Sequence, residues 1–283
     1  MPQIPSTDLS ESCYRGMFKN SGIRTLTTLP ARIVPDSAYS YMFSNCYNLT
    51  ESISISCDRA YSYSFGYMFV SCKNIKYANP ISVIDVNGYT FRSMFSDCTS
   101  LTTTAKIRNL SYASDYCFYS MYENCVSLTK AHDMRYNYFY EYSCKRMFAN
   151  CTALTKAPRL LTIYWDETSC EEMFKGCNSL SYIECAMFSD SSVFGNGWVS
   201  GVASSGTFVK NELQTKYEYS DNSIPTGWEI VNKMLPESIT LPIFTLFKTD
   251  VYPSKNITVE VCFKHNSSGE RCLFGVSSGA ENW

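Results

Sequence analysis

A Met-Phe pair recurs along the chain at a nearly constant interval. It stands at Met17-Phe18, Met42-Phe43, Met68-Phe69, Met94-Phe95, Met121-Tyr122, Met147-Phe148 and Met173-Phe174, with steps of 25, 26, 26, 27, 26 and 26 residues. In every copy after the first, a cysteine follows the methionine by four positions and a leucine or isoleucine follows it by seven. Such a period predicts a solenoid, because a unit this small buries its apolar side only against its neighbours.

Each copy divides into two predicted elements. Before the cysteine, the bulky residues follow helical spacing, as in Phe118, Met121, Tyr122 and Cys125. A stripe at i, i+3, i+4 and i+7 is typical of a short helix with one buried face. Asn, Ser, Asp or Gly precedes each cysteine, and Asn and Gly tolerate the left-handed conformation, so the helix is expected to end there. After the cysteine, Leu-Thr-x-x predicts a short strand, ended by a turn or by a proline such as Pro80 or Pro158.

The predicted fold is therefore an α/β solenoid of the leucine-rich-repeat kind. Each turn of about 26 residues would hold one short helix and one short parallel strand, and a small β-rich region would follow. Stacking would place the repeated apolar residues in continuous buried columns. The predicted core is Met42, Phe43, Cys46, Leu49, Met68, Phe69, Cys72, Met94, Phe95, Cys98, Leu101, Met121, Cys125, Leu128, Met147, Phe148, Cys151, Leu154, Met173, Phe174, Cys177 and Leu180.

The run Met-Phe-x-x-Cys-x-x-Leu-Thr resembles the BspA-type leucine-rich repeats of gut and oral Bacteroidetes, their phages and some protists, over about residues 10–185. Residues 1–34 depart from it, since Ser21 replaces the cysteine, and are predicted to form an N-terminal capping turn. Residues 35–184 form the predicted solenoid. Residues 185–232, with Trp198, Phe208 and Trp228, are predicted to cover its last turn, and also resemble the segment that closes such repeats.

Residues 233–283 are predicted to be β-rich, with strands at Ile239–Leu246, Ile257–Phe263 and Cys272–Val276. This segment resembles the start of a concanavalin- or laminin-G-like sandwich, a fold that commonly binds sugars or proteins. About 45 residues are too few for a complete sandwich. Two interpretations stay open: the segment is part of an incomplete domain, or its strands are completed by neighbouring chains, as in intertwined fibre proteins.

Several kinds of chemistry are not expected. The net charge of −2 provides no basic face for nucleic acid, and no apolar run reaches the length of a membrane helix. The fourteen cysteines include no Cys-x-x-Cys pair, so the repeat cysteines are interpreted as buried, reduced thiols and not as metal ligands. His132 and His265 have no recognisable catalytic partner. We therefore expect a non-enzymatic chain without cofactor, metal or membrane insertion.

The surface offers two candidate contact sets. One is the variable position two residues after the repeat leucine, on the expected exposed side of the strands. Its members are Glu51, Tyr77, Thr103, Lys130, Lys156 and Tyr182. The other is a set of aromatic loop residues, which suit sugar and protein contacts. They are Tyr61, Tyr63, Tyr89, Tyr112, Tyr136, Tyr138, Tyr140 and Trp165.

Three functional hypotheses follow. The first is a bacteriophage virion fibre or decoration protein that contacts host-surface glycans or proteins, or other virion proteins. The expected reduced thiols, and an N-terminus that does not resemble a signal peptide, favour it. As a fibre it would be a homo-oligomer, a trimer. The second is a bacterial cell-surface adhesin, which the repeat resemblance also implies. The third is the binding portion of a larger glycan-processing enzyme.

A first prediction concerns the stack. Burying an apolar side chain contributes roughly 1.5–3 kcal/mol, and a residue in the middle of the array is covered on both sides. Phe95→Ala should therefore lower the free energy of unfolding more than Phe18→Ala in the first turn, in urea titrations followed by circular dichroism. Equal losses at the two positions would contradict a solenoid.

Overall fold

The computed structural model describes residues 4–26, 28–162, 164–185, 194–212 and 216–233, and two short strands nearer the C-terminus. The chain divides into two compact units, Met1–Leu235 and Pro236–Trp283. The first unit is a parallel β-solenoid of about seven turns, called coils below. The predicted solenoid is therefore confirmed.

Short strands form the straight sides of the coils. They are β1 (Ile33–Val34), β2 (Ile55–Ala60), β3 (Ile81–Val86), β4 (Ile107–Arg108), β5 (Tyr112–Ala113), β6 (Met134–Arg135), β7 (Tyr138–Phe139), β8 (Leu160–Leu161), β9 (Tyr164–Trp165), β10 (Tyr182–Cys185), β11 (Thr207–Asn211) and β12 (Glu229–Lys233). Three parallel sheets result, in the orders β1-β2-β3-β4, β5-β7-β9 and β6-β8-β10-β11-β12. Pairing follows the sequence period, as in Ile55 opposite Ile81 and Ile81 opposite Ile107.

The segment predicted as a helix is instead a run of overlapping β-turns. The N–H groups of Ser40, Met42 and Ser44 each bond to the carbonyl three residues earlier. The N–H groups of the residues between them, such as Tyr41 and Phe43, bond to carbonyls of the next coil. An α-helix would direct every one of these N–H groups to the carbonyl four residues back. The prediction of one helix per turn is therefore wrong, and the described residues contain no helix.

Left-handed residues make this arrangement possible. The residue before each repeat cysteine has a positive φ, for example 59° at Asn45 and 61° at Asn124, as expected from its type. Further positive values occur four and eight residues earlier, at Tyr41 (56°) and Ser37 (55°). Every second turn therefore has its third residue at positive φ, as in a type II turn. This reversal at every fourth residue keeps the segment flat enough to bond sideways to the next coil.

The interior consists of columns of equivalent residues. All of the predicted core residues are at most 3% exposed. The aromatic residue of the Met-Phe pair stacks on its counterpart in the next coil, with ring centroids 5.4 Å apart for Phe43–Phe69 and for Phe69–Phe95. Leu101 and its equivalents belong to the same buried cluster as the cysteines.

The repeat cysteines satisfy backbone carbonyls. The Cys72 thiol donates to the Phe43 carbonyl at 3.0 Å, and the Cys98 thiol donates to the Phe69 carbonyl at 3.2 Å. The same bond recurs at Cys46, Cys125, Cys151 and Cys177. These six cysteines are unbridged thiols. A small apolar group that carries one weak donor fits this buried position beside a carbonyl.

The strands differ from the predicted ones. In most coils the Leu-Thr-x-x segment contributes single parallel bridges, such as Glu51 to Tyr77, and only after Leu180 does a strand, β10, begin within it. The longer β3 begins directly after Pro80, the residue expected to end a strand. Proline has no N–H to donate, but its carbonyl still accepts, and here the Ile55 N–H bonds to the Pro80 carbonyl. The alternation of buried and more exposed residues in Ile81–Val86 is that of a strand with one buried face.

The last coils are filled by large aromatic rings. Trp198, Phe208 and Trp228 are at most 2% exposed. The Trp198 indole donates to the Ser223 carbonyl at 2.6 Å, and the Trp228 indole donates to the Ala203 carbonyl at 2.8 Å. Trp198 also meets Phe174 edge to face at 5.7 Å, at the end of the Met-Phe column.

In the second unit, β13 (Thr258–Glu260) and β14 (Gly275–Ser277) pair antiparallel, with Val259 opposite Val276. They lie within or beside two of the strands predicted from the sequence. The third predicted strand, Ile239–Leu246, lies outside the described residues.

The buried thiols lead to a second prediction. Burial raises the pKa of Cys72 and Cys177 to about 12, whereas an exposed thiol has a pKa of about 8.5. Below the lower value both states keep the proton, and above it only the unfolded chain ionises, so stability falls as the pH rises between the two values. Each such thiol should lower the free energy of unfolding by roughly 1.4 kcal/mol between pH 7.5 and 9.5.

Urea titrations at the two pH values measure this loss. Cys72→Ser retains a donor for the Phe43 carbonyl but removes one titrating group. Between the two pH values, the free energy of unfolding of this variant should therefore fall by about 1.4 kcal/mol less than that of the parent chain. An identical pH dependence for the variant and the parent chain would contradict the assignment.

Candidate binding surfaces

The column predicted as a contact surface forms a ladder on the outside of the solenoid. Parallel bridges join Glu51 to Tyr77, Tyr77 to Thr103, and Thr103 to Lys130. Another bridge joins Lys156 to Tyr182, and the Lys156 ammonium lies 4.6 Å from the centre of the Tyr182 ring. Tyr77 is 58% exposed. We call these six positions, 51, 77, 103, 130, 156 and 182, the bridge column.

A second surface consists of tyrosines in the β-turn segments, and we call it the turn face. Its members are Tyr41, Tyr63, Tyr67, Tyr89, Tyr116 and Tyr142, all half-buried and all at positive φ. Tyr41 and Tyr67 stack with centroids 4.5 Å apart and an interplanar angle of 2°. Tyr89 stacks between Tyr63 at 4.7 Å and Tyr116 at 4.6 Å. Because neighbouring rings cover the ring faces, the edges and hydroxyl groups of the tyrosines meet the solvent.

Ion pairs join equivalent positions in neighbouring coils. Arg59 pairs with Asp85, and the Lys145 ammonium lies 2.7 Å from the Glu171 carboxylate. Three more such pairs are Arg32–Asp58, Arg146–Glu172 and Arg159–Glu184. A cation stacked on another cation would be repelled, so opposite charges in adjacent coils stabilise the in-register stack.

The aromatic residues expected to form one loop surface are divided by the structure. Tyr63 and Tyr89 lie on the turn face, whereas Tyr112 and Tyr138 stand opposite each other in the β5-β7-β9 sheet. Tyr140 is exposed near that sheet, and Tyr61 lies at the end of β2 and the start of a turn segment. Tyr136 and Trp165 are 7% and 1% exposed and belong to the core.

Four members of the turn face were missed from the sequence: Tyr41, Tyr67, Tyr116 and Tyr142. Tyr41 and Tyr67 directly precede the repeat methionines, and Tyr116 and Tyr142 stand five residues before them. The four-residue spacing of Tyr63 and Tyr67 is the signal that could have placed them on one side of each coil.

The residues considered for chemistry have ordinary surroundings. The His132 ring nitrogen Nδ1 lies 3.1 Å from the Thr104 hydroxyl, and burial lowers the pKa of this histidine. His265 lies outside the described residues. In the described part of the chain, His, Cys, Asp and Glu side chains do not gather into a group that could hold a metal ion. The same part contains no helix long and apolar enough to cross a membrane.

No family model matches the sequence, and no curated protein sequence is similar to it. Among solved structures, the chain is similar to a leucine-rich repeat protein from Bacteroides ovatus ATCC 8483. That similarity covers 72% of this chain and 76% of the other at 14% identity, with a TM-score of 0.26.

The turn face leads to a third prediction. Stacked aromatic pairs contribute about 0.5–1.5 kcal/mol beyond the area they bury. A double-mutant cycle with Tyr41→Ala and Tyr67→Ala should therefore give a coupling free energy in that range, measured from urea unfolding. Tyr41 and the distant Tyr164 serve as the control pair and should show no coupling. Additive effects of Tyr41→Ala and Tyr67→Ala would contradict the stacking.

Proposed function

We propose that this chain is a non-enzymatic binding protein of a bacteriophage virion, a fibre or decoration protein with BspA-type repeats. Its solenoid would act as a rigid support, and the turn face would contact a glycan or protein of the host surface. The observation that carries the proposal is the outward ladder of stacked tyrosines, Tyr41–Tyr67 and Tyr63–Tyr89–Tyr116.

The backbone conformation makes these tyrosines informative. A left-handed conformation is unfavourable for bulky residues, by roughly 1–2 kcal/mol relative to the right-handed one. The left-handed position before each cysteine is filled by residues that tolerate it better, such as Asn45, Asp97 and Gly176. Tyrosine at the other two positions is costly for the fold, and stacking offsets only part of that cost. Tyrosine combines apolar area with a hydroxyl group, and it is enriched in contact surfaces.

The repeat cysteines support the location in a virion. They are buried thiols that act as donors to backbone carbonyls, as Cys98 does to Phe69. A bond of this kind needs reduced sulfur, which is usual for proteins that fold in a bacterial cytoplasm, as virion proteins do. A bacterial surface adhesin is the second candidate, favoured by the resemblance of the Met-Phe-x-x-Cys-x-x-Leu-Thr repeat to BspA-type surface proteins.

A fourth prediction tests the contact. The fluorescently labelled chain should bind saturably to envelope fractions of host bacteria. A Tyr63→Ser/Tyr89→Ser variant should bind roughly tenfold more weakly, which is about 1.4 kcal/mol. Tyr164→Ser, at an exposed tyrosine in β9 and away from the turn face, is the matched control and should bind like the parent chain. Unchanged binding by the turn-face variant, with loss for Tyr77→Ala, would place the contact on the bridge column.

The location is tested separately by immunogold labelling with antibodies against the chain. Gold on purified virions supports a fibre or decoration protein. Gold on uninfected bacteria supports the adhesin instead, and absence of binding to every envelope fraction would contradict both.

A further inference from the structure

Arg92 differs from the other partly buried arginines of the described chain. Arg146 and Arg159 are bonded to carboxylates of nearby coils. The Arg92 guanidinium has no carboxylate within ion-pair distance among the described residues. It lies instead among three tyrosine rings, with its central carbon 4.6 Å from the centre of Tyr119, 5.6 Å from Tyr89 and 5.8 Å from Tyr67.

Its hydrogen-bonding groups are also unused. The Nε atom of Arg92 is buried without a hydrogen-bond partner. The residue is only partly buried, and its terminal amino groups, unlike Nε, are not buried without a partner. Cation–π contacts stabilise the charge but leave the guanidinium N–H groups without acceptors. An exposed planar pair of N–H donors is the group that binds a carboxylate through two parallel bonds.

The neighbouring positions of the stack carry small, buried residues. In the column that contains Arg92, the previous coil has Gly66, which carries no side chain. In the adjacent column, Ser93 and Ser120 follow the Tyr41–Tyr67 stack. No further ring of the described residues stacks on the outer side of Tyr67. The Arg92 guanidinium therefore lies beside Tyr67 at the point where the Tyr41–Tyr67 stack ends.

We propose that Arg92, with Tyr67, Tyr89 and Tyr119, forms a binding site for the carboxylate of an acidic sugar in a surface polysaccharide. This inference rests on the proposed function and names the ligand class of the turn face. One unpaired cation among three tyrosine side chains matches a sugar unit that has one carboxylate and several hydroxyl groups. An acidic peptide, with a charge on successive side chains, would call for further unpaired cations directly beside Arg92, whereas Arg15 and Lys19 are separated from it by the Tyr41–Tyr67 stack.

The tyrosines can serve as donors at neutral pH. Burial raises the pKa of Tyr67 and of Tyr89, so both phenols keep their protons. The next cations along the solenoid, Lys145 and Arg146, are neutralised by Glu171, Glu123 and Glu172. The cations that follow Arg92 on the turn face are therefore paired, whereas Arg15 and Lys19, at its N-terminal end, lie 5.8 and 5.4 Å from the centre of the Tyr41 ring.

The fifth prediction is tested by isothermal titration of the chain with a panel of uronate- and sialate-bearing oligosaccharides and their methyl esters. At least one acidic member should bind, and its ester should bind roughly tenfold more weakly or worse. Arg92→Gln should lose the same factor. Arg92→Lys, which keeps the charge but not the paired donors, should lose less. Arg108→Gln removes an exposed arginine elsewhere and should leave the affinity unchanged.

Equal affinity of the parent chain and Arg92→Gln would overturn the site, as would tighter binding of an oligoglutamate peptide than of every sugar. Thermal melting of each variant shows whether it is folded, and Arg92→Lys carries the test if Arg92→Gln is not. Envelope binding that survives in Arg92→Gln would reject this ligand class and leave the proposed function intact. Failure of the parent chain to bind any envelope fraction would reject the proposed function itself.

Discussion

The alternation of backbone hydrogen bonds in the turn segments determines the rest of this structure. Each N–H that closes a β-turn is followed by one that bonds to the next coil, as with Met42 and Phe43. Neighbouring coils are therefore held in one register along their whole length and not only where strands pair. A side chain must fit the side chain at the equivalent position one coil away, so the buried columns repeat residues that stack on themselves and several surface columns pair opposite charges.

The buried columns meet this requirement by repetition. Aromatic rings in the Met-Phe column stack face to face at 5.4–5.6 Å, from Phe18 to Phe174. The cysteine column has a different reason to repeat. A coil bonded on both sides leaves a carbonyl such as that of Phe43 pointing into the core, where a second donor is favourable. The thiol of Cys72 provides that donor without the desolvation cost of a stronger polar group.

The same constraint explains which features the sequence could predict. The period, the buried columns and the left-handed residue before each cysteine follow from residue type and spacing, as at Asn45 and Asn124. The helix prediction was wrong because buried positions recur about every four residues both in an α-helix and in the β-turn segments. Over eight residues, a four-residue backbone repeat and a helix of 3.6 residues per turn select the same positions. Tyr41 and Tyr67 lie outside the predicted buried stripe, and a helix gives no reason for a left-handed conformation or a stack there, so both were missed.

The register of the coils also restricts which charged residues can stand at equivalent surface positions. Cations at equivalent positions of adjacent coils repel each other, and at five positions a carboxylate of the next coil pairs with the cation instead, as in Arg59–Asp85 and Lys145–Glu171. The position of Arg92 departs from this rule, because glycine precedes it and Tyr119 follows it in the column. Aromatic rings stabilise the guanidinium there without neutralising it. A charge that the stack leaves uncompensated contributes less to holding coils together than a paired one would, and its free donors favour an anion from outside the solenoid.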